Sequence, residues 1–234
     1  MQDAKQDMGV PLGKLLLVLS FTTGLIDAVS VLGLGKVFTA NMTGNIVFMG
    51  FAIAGTPGFH VWPYIAALSS FLFGAFAAGQ GGKRMAAGPI RHWLIVAAVF
   101  ETLALWIAAI VAWRYDPATL TPTLSLYVII ALTGIAMGFR NGTVRQLKVP
   151  DLTTTVLTLT LTGLASDSHF AGGKNPNWQR RIMAVLCILT GAAIGAALVM
   201  KTGLAIPLLL TGGLVLLSTL VFAAHPASGR VHKP

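Results

Sequence analysis

Long apolar runs separated by short polar connections dominate the chain, and the length of those runs is what has to be explained first. Near 15–34, 61–80, 92–113, 124–142, 182–200 and 204–223 the sequence stays apolar for the roughly 20 residues that a helix needs to cross a bilayer. Six membrane-spanning helices are therefore predicted. Two further segments are mixed: 37–55, VFTANMTGNIVFMGFAIAG, and 149–163, VPDLTTTVLTLTLTG, are polar first and apolar or Thr-rich afterwards. Either they cross as well, giving eight spans, or they enter and leave on one side.

Charge separates these alternatives. The 16 Lys and Arg split evenly between the two sides if all eight segments span. With two re-entrant segments only Lys36, Arg114 and Lys201 lie outside, which leaves 13 on the cytoplasmic side. The positive-inside rule favours the second arrangement, with both termini in the cytoplasm and the chain in the inner (plasma) membrane. The first apolar run follows an acidic and amidic start without a small-residue cleavage site, and reads as a retained span rather than a signal peptide.

The order of span, polar segment, span, span occurs twice with recurring residues. Gly24 to Ala28 (GLIDA) returns as Gly138 to Gly142 (GFRNG), Val37 to Thr43 as Val149 to Thr155, and Phe73-Gly74-Ala75 as Thr190-Gly191-Ala192. The offsets of 114, 112 and 117 differ only by small insertions. We read an internal duplication of about 12–114 and 122–224 inside one integral membrane domain, 1–234. Three spans per copy is an odd number, so the copies are expected to be inverted.

The same residues carry a resemblance to a known family. GLIDAVS at 24–30, FTANMTGN at 38–45, GFRN at 138–141 and VPDLTTT at 149–155 resemble the conserved regions of the YoaK family, over nearly the whole chain. That resemblance implies a bacterial integral membrane protein of unknown function and supplies no substrate or site.

Composition agrees with the bilayer as solvent. Of 234 residues 55% are hydrophobic and 10% charged, against about 25% charged in soluble domains, which excludes a soluble enzyme. The net charge of +9 is carried in short connections rather than a basic stripe, so membrane lipids, not nucleic acid, are the expected partner. Cys187 is single and lies in an apolar run, and His60 and His169 lack metal-ligand spacing; no metal or cofactor is expected. No Walker loop, zinc-protease motif or nucleophile elbow is present, and no paired nucleophile and base for an enzyme acting on lipid is identified.

Candidate chemistry sits in the polar segments and in charges within spans. Half-helices over 46–55 and 152–163 would begin near Thr43, with Asn41 close by, and after Asp151, which can cap the free N–H groups. In inverted copies those helix starts meet near the midplane, where positive dipole ends suit a small polar or anionic solute. Asn41, Thr43, Asn45, Asn141, Thr153, Thr154 and Thr155 are the candidate solute contacts. The alternative is that they only hydrogen-bond neighbouring helices.

Asp27 and Glu101 lie inside apolar runs, where a charged acid costs about 2.5–3.5 kcal/mol even on the lenient scale. Each is expected either to exchange a proton in step with transport or to pair with Arg140. Gly74, Ala75 and Ala78, with Gly191, Ala192, Gly195 and Ala196, form small faces for close packing within the chain, or for a homo-oligomer seam. The leading expectation is a transporter or channel, with a non-transporting accessory or scaffold protein as the rival.

Overall fold

A computed structural model describes residues 2–85, 87–147, 157–175 and 177–229. It is all-helical among them: α1 (Gln2–Gly33), α2 (Met42–Ile53), α3 (Val61–Met85), α4 (Ile90–Ala112), α5 (Thr123–Leu147), α6 (Leu157–Ser166), α7 (Trp178–Thr202) and α8 (Ala205–Ala224). Six are long and apolar enough to cross a membrane: Pro11–Gly33 of α1, and all of α3, α4, α5, α7 and α8. The other two are not. At 1.5 Å per residue, the 12 residues of α2 reach about 18 Å and the 10 of α6 about 15 Å, half of a hydrocarbon core of about 30 Å. Neither described helix is long enough by itself to cross it.

Local sequence explains where the helices stop. After α1, Gly35 (φ 74°) and Lys36 (φ 63°) take left-handed backbone, and Lys36 N–H returns to Val31 O at 3.2 Å. Lys36 then lays its ammonium 4.7 Å above the Phe59 ring, which fixes the start of the polar segment to the connection before α3. Between α7 and α8, Gly203 (φ 72°) makes the reversal in two residues, and its N–H closes on Val199 O.

Packing follows a pattern of exchange. Helix α1 packs on α7 as α3 packs on α5; α1 on α8 as α5 on α4; α2 on α3 as α6 on α7; and α4 and α8 pack on each other. The small residues set the two closest seams. A Cβ added at Gly24 would strike the Ile188 carbonyl and the Ala192 amide, and one added at Gly138 would strike the Phe71 carbonyl and the Ala75 amide. Gly74 meets α5 at Ile135 and Phe139, Gly191 meets α1 at Phe21, and Gly195 meets Ala28 while Gly142 meets Ala78. An offset of 114 carries Phe21, Gly24 and Ala28 onto Ile135, Gly138 and Gly142, and an offset of 117 carries Phe71, Gly74, Ala75 and Ala78 onto Ile188, Gly191, Ala192 and Gly195. The small faces therefore pack within the chain.

Large side chains occupy two places. Ile26, Val29, Leu105, Ile129, Ile130, Met137 and Leu208 are buried at the centre. Leu72, Phe73 and Phe76 of α3, Ile107 and Ile110 of α4, and Leu189 and Ile194 of α7 are exposed, as the outside of a bundle in lipid requires.

Because the Gly138 seam is backbone against backbone, Gly138→Leu should destabilise the protein by about 3 kcal/mol or more, at or beyond the upper end of ordinary overpacking. Gly213→Ala, where nothing lies within 4 Å, should be nearly neutral. Thermal unfolding in one detergent compares the two, and equal losses would contradict the packing.

Candidate functional site

Three spans meet at one arginine. Arg140 on α5 is 2% exposed and Glu101 on α4 is 3% exposed. Arg140 Nε donates to Glu101 Oε1 at 2.9 Å and Nη2 donates to the same oxygen. Its Nη1 donates to two acceptors on α1, Leu19 O and Thr23 Oγ1, both at 3.1 Å. Thr23 in turn donates to Leu19 O at 2.8 Å, so its hydroxyl is oriented with its lone pairs towards the guanidinium. A buried charge is tolerated where it is paired and its donors are taken up, and this constellation meets both conditions with groups from α1, α4 and α5.

The positions follow from the seams. On α4, Thr102 donates to Gly212 O at 3.0 Å and Trp106 Nε1 to Leu209 O at 3.2 Å, which fixes the rotation of α4 on α8 and turns the neighbouring Glu101 inward. On α5, Gln146 Nε2 reaches Ala78 O of α3 at 2.9 Å, two turns beyond Arg140. Of the two acids expected to compete for Arg140, the structure gives the ion pair to Glu101.

Asp27 lies four residues beyond Thr23 on α1 and feels Arg140 electrostatically. Its Oδ1 is buried and accepts no hydrogen bond. On the opposite side of the pair, Thr143 Oγ1 is also buried without a partner. Glu101, Arg140 and Thr143 line a cavity of about 20 Å³, with Leu15 and Leu147 also in its wall. That volume exceeds the 10–15 Å³ that one water needs.

The first polar segment uses its residues differently from the expectation. The half-helix begins at Met42, earlier than 46, with Asn41 at the N-cap position and no side-chain capping bond from it; Thr43 lies inside the first turn. Asn41 and Thr43 are both exposed. Asn45 is fully buried and folds back on the non-helical backbone before it: Phe38 N–H donates to its Oδ1 at 2.9 Å, and its Nδ2 donates to Phe38 O. One side-chain amide thus replaces the sheet or helix partner that the backbone of Phe38 lacks. Thr39 Oγ1 and Tyr64 OH, buried in the same region, have no partner.

In the second half, Asn141 is half-buried and donates to Met137 O at 2.8 Å. Asp151, Thr153, Thr154 and Thr155 lie outside the described residues, so the expected approach of Thr153 or Thr154 to Asn41 or Thr43 is not tested by the geometry. Helix α6 is tied to α7 by Arg181, whose Nη1 donates to Asp167 Oδ2 at 2.8 Å and whose guanidinium would be struck by a Cβ at Gly163. This contact holds the Asp167 carboxyl below its usual range. A separate groove of about 680 Å³ runs between α1 and α8, lined by Leu15, Val18, Leu214, Leu217 and Phe222, with Lys14 and His225 at its rim.

The role of Asn45 as a backbone clamp and that of Thr23 as an arginine acceptor were not foreseen from the sequence. A signal for Thr23 existed, since Thr22 and Thr23 interrupt an otherwise apolar run one turn before Asp27. None marked Thr143.

These features define a multi-pass helical membrane protein whose mid-membrane charges converge on one arginine. A family model described as "Protein of unknown function (DUF1275)" matches residues 15–221, and the chain belongs to that family. It is 34% identical over 155 residues to the UPF0700 transmembrane protein YoaK of Bacillus subtilis (strain 168). The aligned part is 65% of this chain and 65% of that relative's length. No solved structure matches.

Breaking a buried pair costs more than removing it. Glu101→Gln and Arg140→Gln should each lower stability by about 3–5 kcal/mol, the double change by clearly less than their sum, and Asp27→Asn by no more than about 1 kcal/mol. A double-mutant cycle in detergent checks this, and additive losses would contradict the pairing.

Proposed function

We propose that this protein is a transporter or channel for a small polar or anionic solute, built from two inverted three-span copies and coupled to protons through the core acids. The exchange pattern of packing carries the reading: each helix contact in the first half has its counterpart in the second, down to the glycines that touch carbonyls. Inverted copies place two broken segments symmetrically about the midplane, the plan that transporters use to expose one site to alternate sides. The short helix α2, with the non-helical and buried Val37, Thr39 and Ala40 before it, supports a re-entrant segment covered by protein. In this reading the solute meets Asn41 and Thr43 from one copy, with Asn45 holding the backbone beside them, and Asn141, Thr153, Thr154 and Thr155 from the other.

Charge supports the orientation proposed with it: an inner-membrane location with both termini and the 81–91, 143–148 and 167–181 connections in the cytoplasm. Cysteines placed at Gly88 and Asn175, in a background without Cys187, should label from the cytoplasmic side alone. Labelling from opposite sides would remove the inverted arrangement.

A second reading, a non-transporting accessory or scaffold protein, is favoured by the size of the cavity at the ion pair, which holds water and nothing larger. In a transporter that cavity belongs to an occluded state. Purified protein in liposomes, offered chloride, nitrate, formate and phosphate under an imposed pH gradient, separates the readings. Transport predicts flux of at least one solute that depends on the gradient and a rise in thermal midpoint with the same solute. Absence of both, across these anions and a panel of small neutral polar solutes, supports the scaffold.

A further inference from the structure

We propose that Glu101 and Asp27 share one proton and that Arg140 moves between them, so that the three side chains form a proton relay through the core. The relay deepens the coupling in the transport reading and gives it its residues.

Geometry is the first argument. Arg140 is held on α1 by Leu19 O and Thr23 Oγ1, and Asp27 follows Thr23 by four residues on the same helix face. Four residues rise about 6 Å, a displacement that rotation about the long arginine side chain covers without moving a helix. The destination is prepared, because Asp27 Oδ1 is buried and has no donor.

Charge is the second argument. Two carboxylates and one guanidinium leave a net negative charge at membrane depth, and one bound proton makes the set neutral. Among the described residues no further charge of the surrounding helices sits with it. Helix α8 has no ionisable residue along Ala205–Ala224; Lys83 and Arg84 of α3 and Arg180, Arg181 and Lys201 of α7 lie at helix ends; Arg91 and His92 of α4, Arg145 of α5 and Lys14 of α1 are exposed. While Arg140 pairs with Glu101, neutrality places the proton on Asp27. When Glu101 takes a proton, Arg140 is released to an ionised Asp27.

The two acids face different ways out. Glu101 shares its one-water cavity with the unpartnered Thr143 hydroxyl, on the side of Leu15 and Leu147. Asp27 lies beyond Arg140 in the other direction along α1, towards Gly33. In one passage a proton from cavity water forms the Glu101 carboxylic acid, Arg140 crosses to Asp27, and Asp27 gives its proton to water on the Gly33 side. When Arg140 returns, the Glu101 proton passes to Asp27, which restores the starting state; one proton has then entered from the cavity and one has left on the Gly33 side, and no other reactant is consumed.

Infrared difference spectroscopy of the purified protein tests the relay without a transported solute, because a protonated carboxyl in a dry site has its own C=O stretch. Two of the seven acids, Asp116 and Asp167, are held below the usual carboxylate range by their hydrogen-bond donors and are ionised at neutral pH. Wild type should show one such band at neutral pH. It should vanish in Asp27→Asn, which loses no hydrogen bond of its carboxylate and so folds, and also in Glu101→Gln, where Arg140 transfers to Asp27 and displaces its proton. A band that survives Asp27→Asn overturns the assignment of the proton, even if Glu101→Gln fails to fold. A band that survives in folded Glu101→Gln overturns the exchange. If the bands behave as expected but no solute crosses in liposomes, the relay stands and the transport reading falls.

Discussion

The arrangement of the core depends on a cation that cannot leave its site unpaired. An arginine at membrane depth forces its neighbours to supply a counterion and acceptors, and it draws them from three separate helices: Glu101 of α4, and Leu19 and Thr23 of α1. The result is a cross-link between α1, α4 and α5 inside the bundle. Hydrophobic burial cannot provide it, since lipid tails are as apolar as leucine and give helices no reason to associate. What remains for cohesion is close packing and polar bonds, and the chain uses glycine seams for the first and Arg140 for the second.

Legibility in the sequence followed the strength of the physical constraint. The six spans were readable because bilayer thickness fixes their length, and their observed bounds differ from the expected ones by a few residues at each end, where helices continue past the hydrocarbon. The small faces at Gly74 and Gly191 were readable as packing because small residues at helical spacing permit only close approach. In the first polar segment the helix start was expected near Thr43, with Asn41 close by; the helix begins at Met42, and Asn45, one turn into it, makes the bonds that hold the non-helical backbone before it. Residue type signals that a bond will form, not which backbone group is left needing one. For the same reason both acids were visible as partners of Arg140, while the choice between them depended on how α4 rotates against α8.

Trp93 and Asn175 each carry a buried polar atom without a partner away from the arginine, and so do Asp27, Thr143, Thr39 and Tyr64, these four beside the arginine or the polar segment. In a bundle stabilised by packing, such atoms are a cost that neighbours ordinarily remove. Retention of those four next to the two irregular features of the fold is consistent with water at those places.

The glycine seams have a mechanical consequence. Only 22% of the spans of α3 and α7 is buried, against 67% for α1 and 56% for α5, so these two are outer arms resting on an inner frame. Where they approach the frame most closely they do so backbone to backbone, at Gly74 and Gly191. Interdigitated surfaces resist sliding because each step must lift one ridge over the next, whereas a smooth backbone-to-backbone contact presents a shallow series of barriers. The arms also carry the half-helices, α2 on α3 and α6 on α7. A small axial glide of either arm would therefore carry its short helix along the frame, a bearing built into the fold by leaving out side chains.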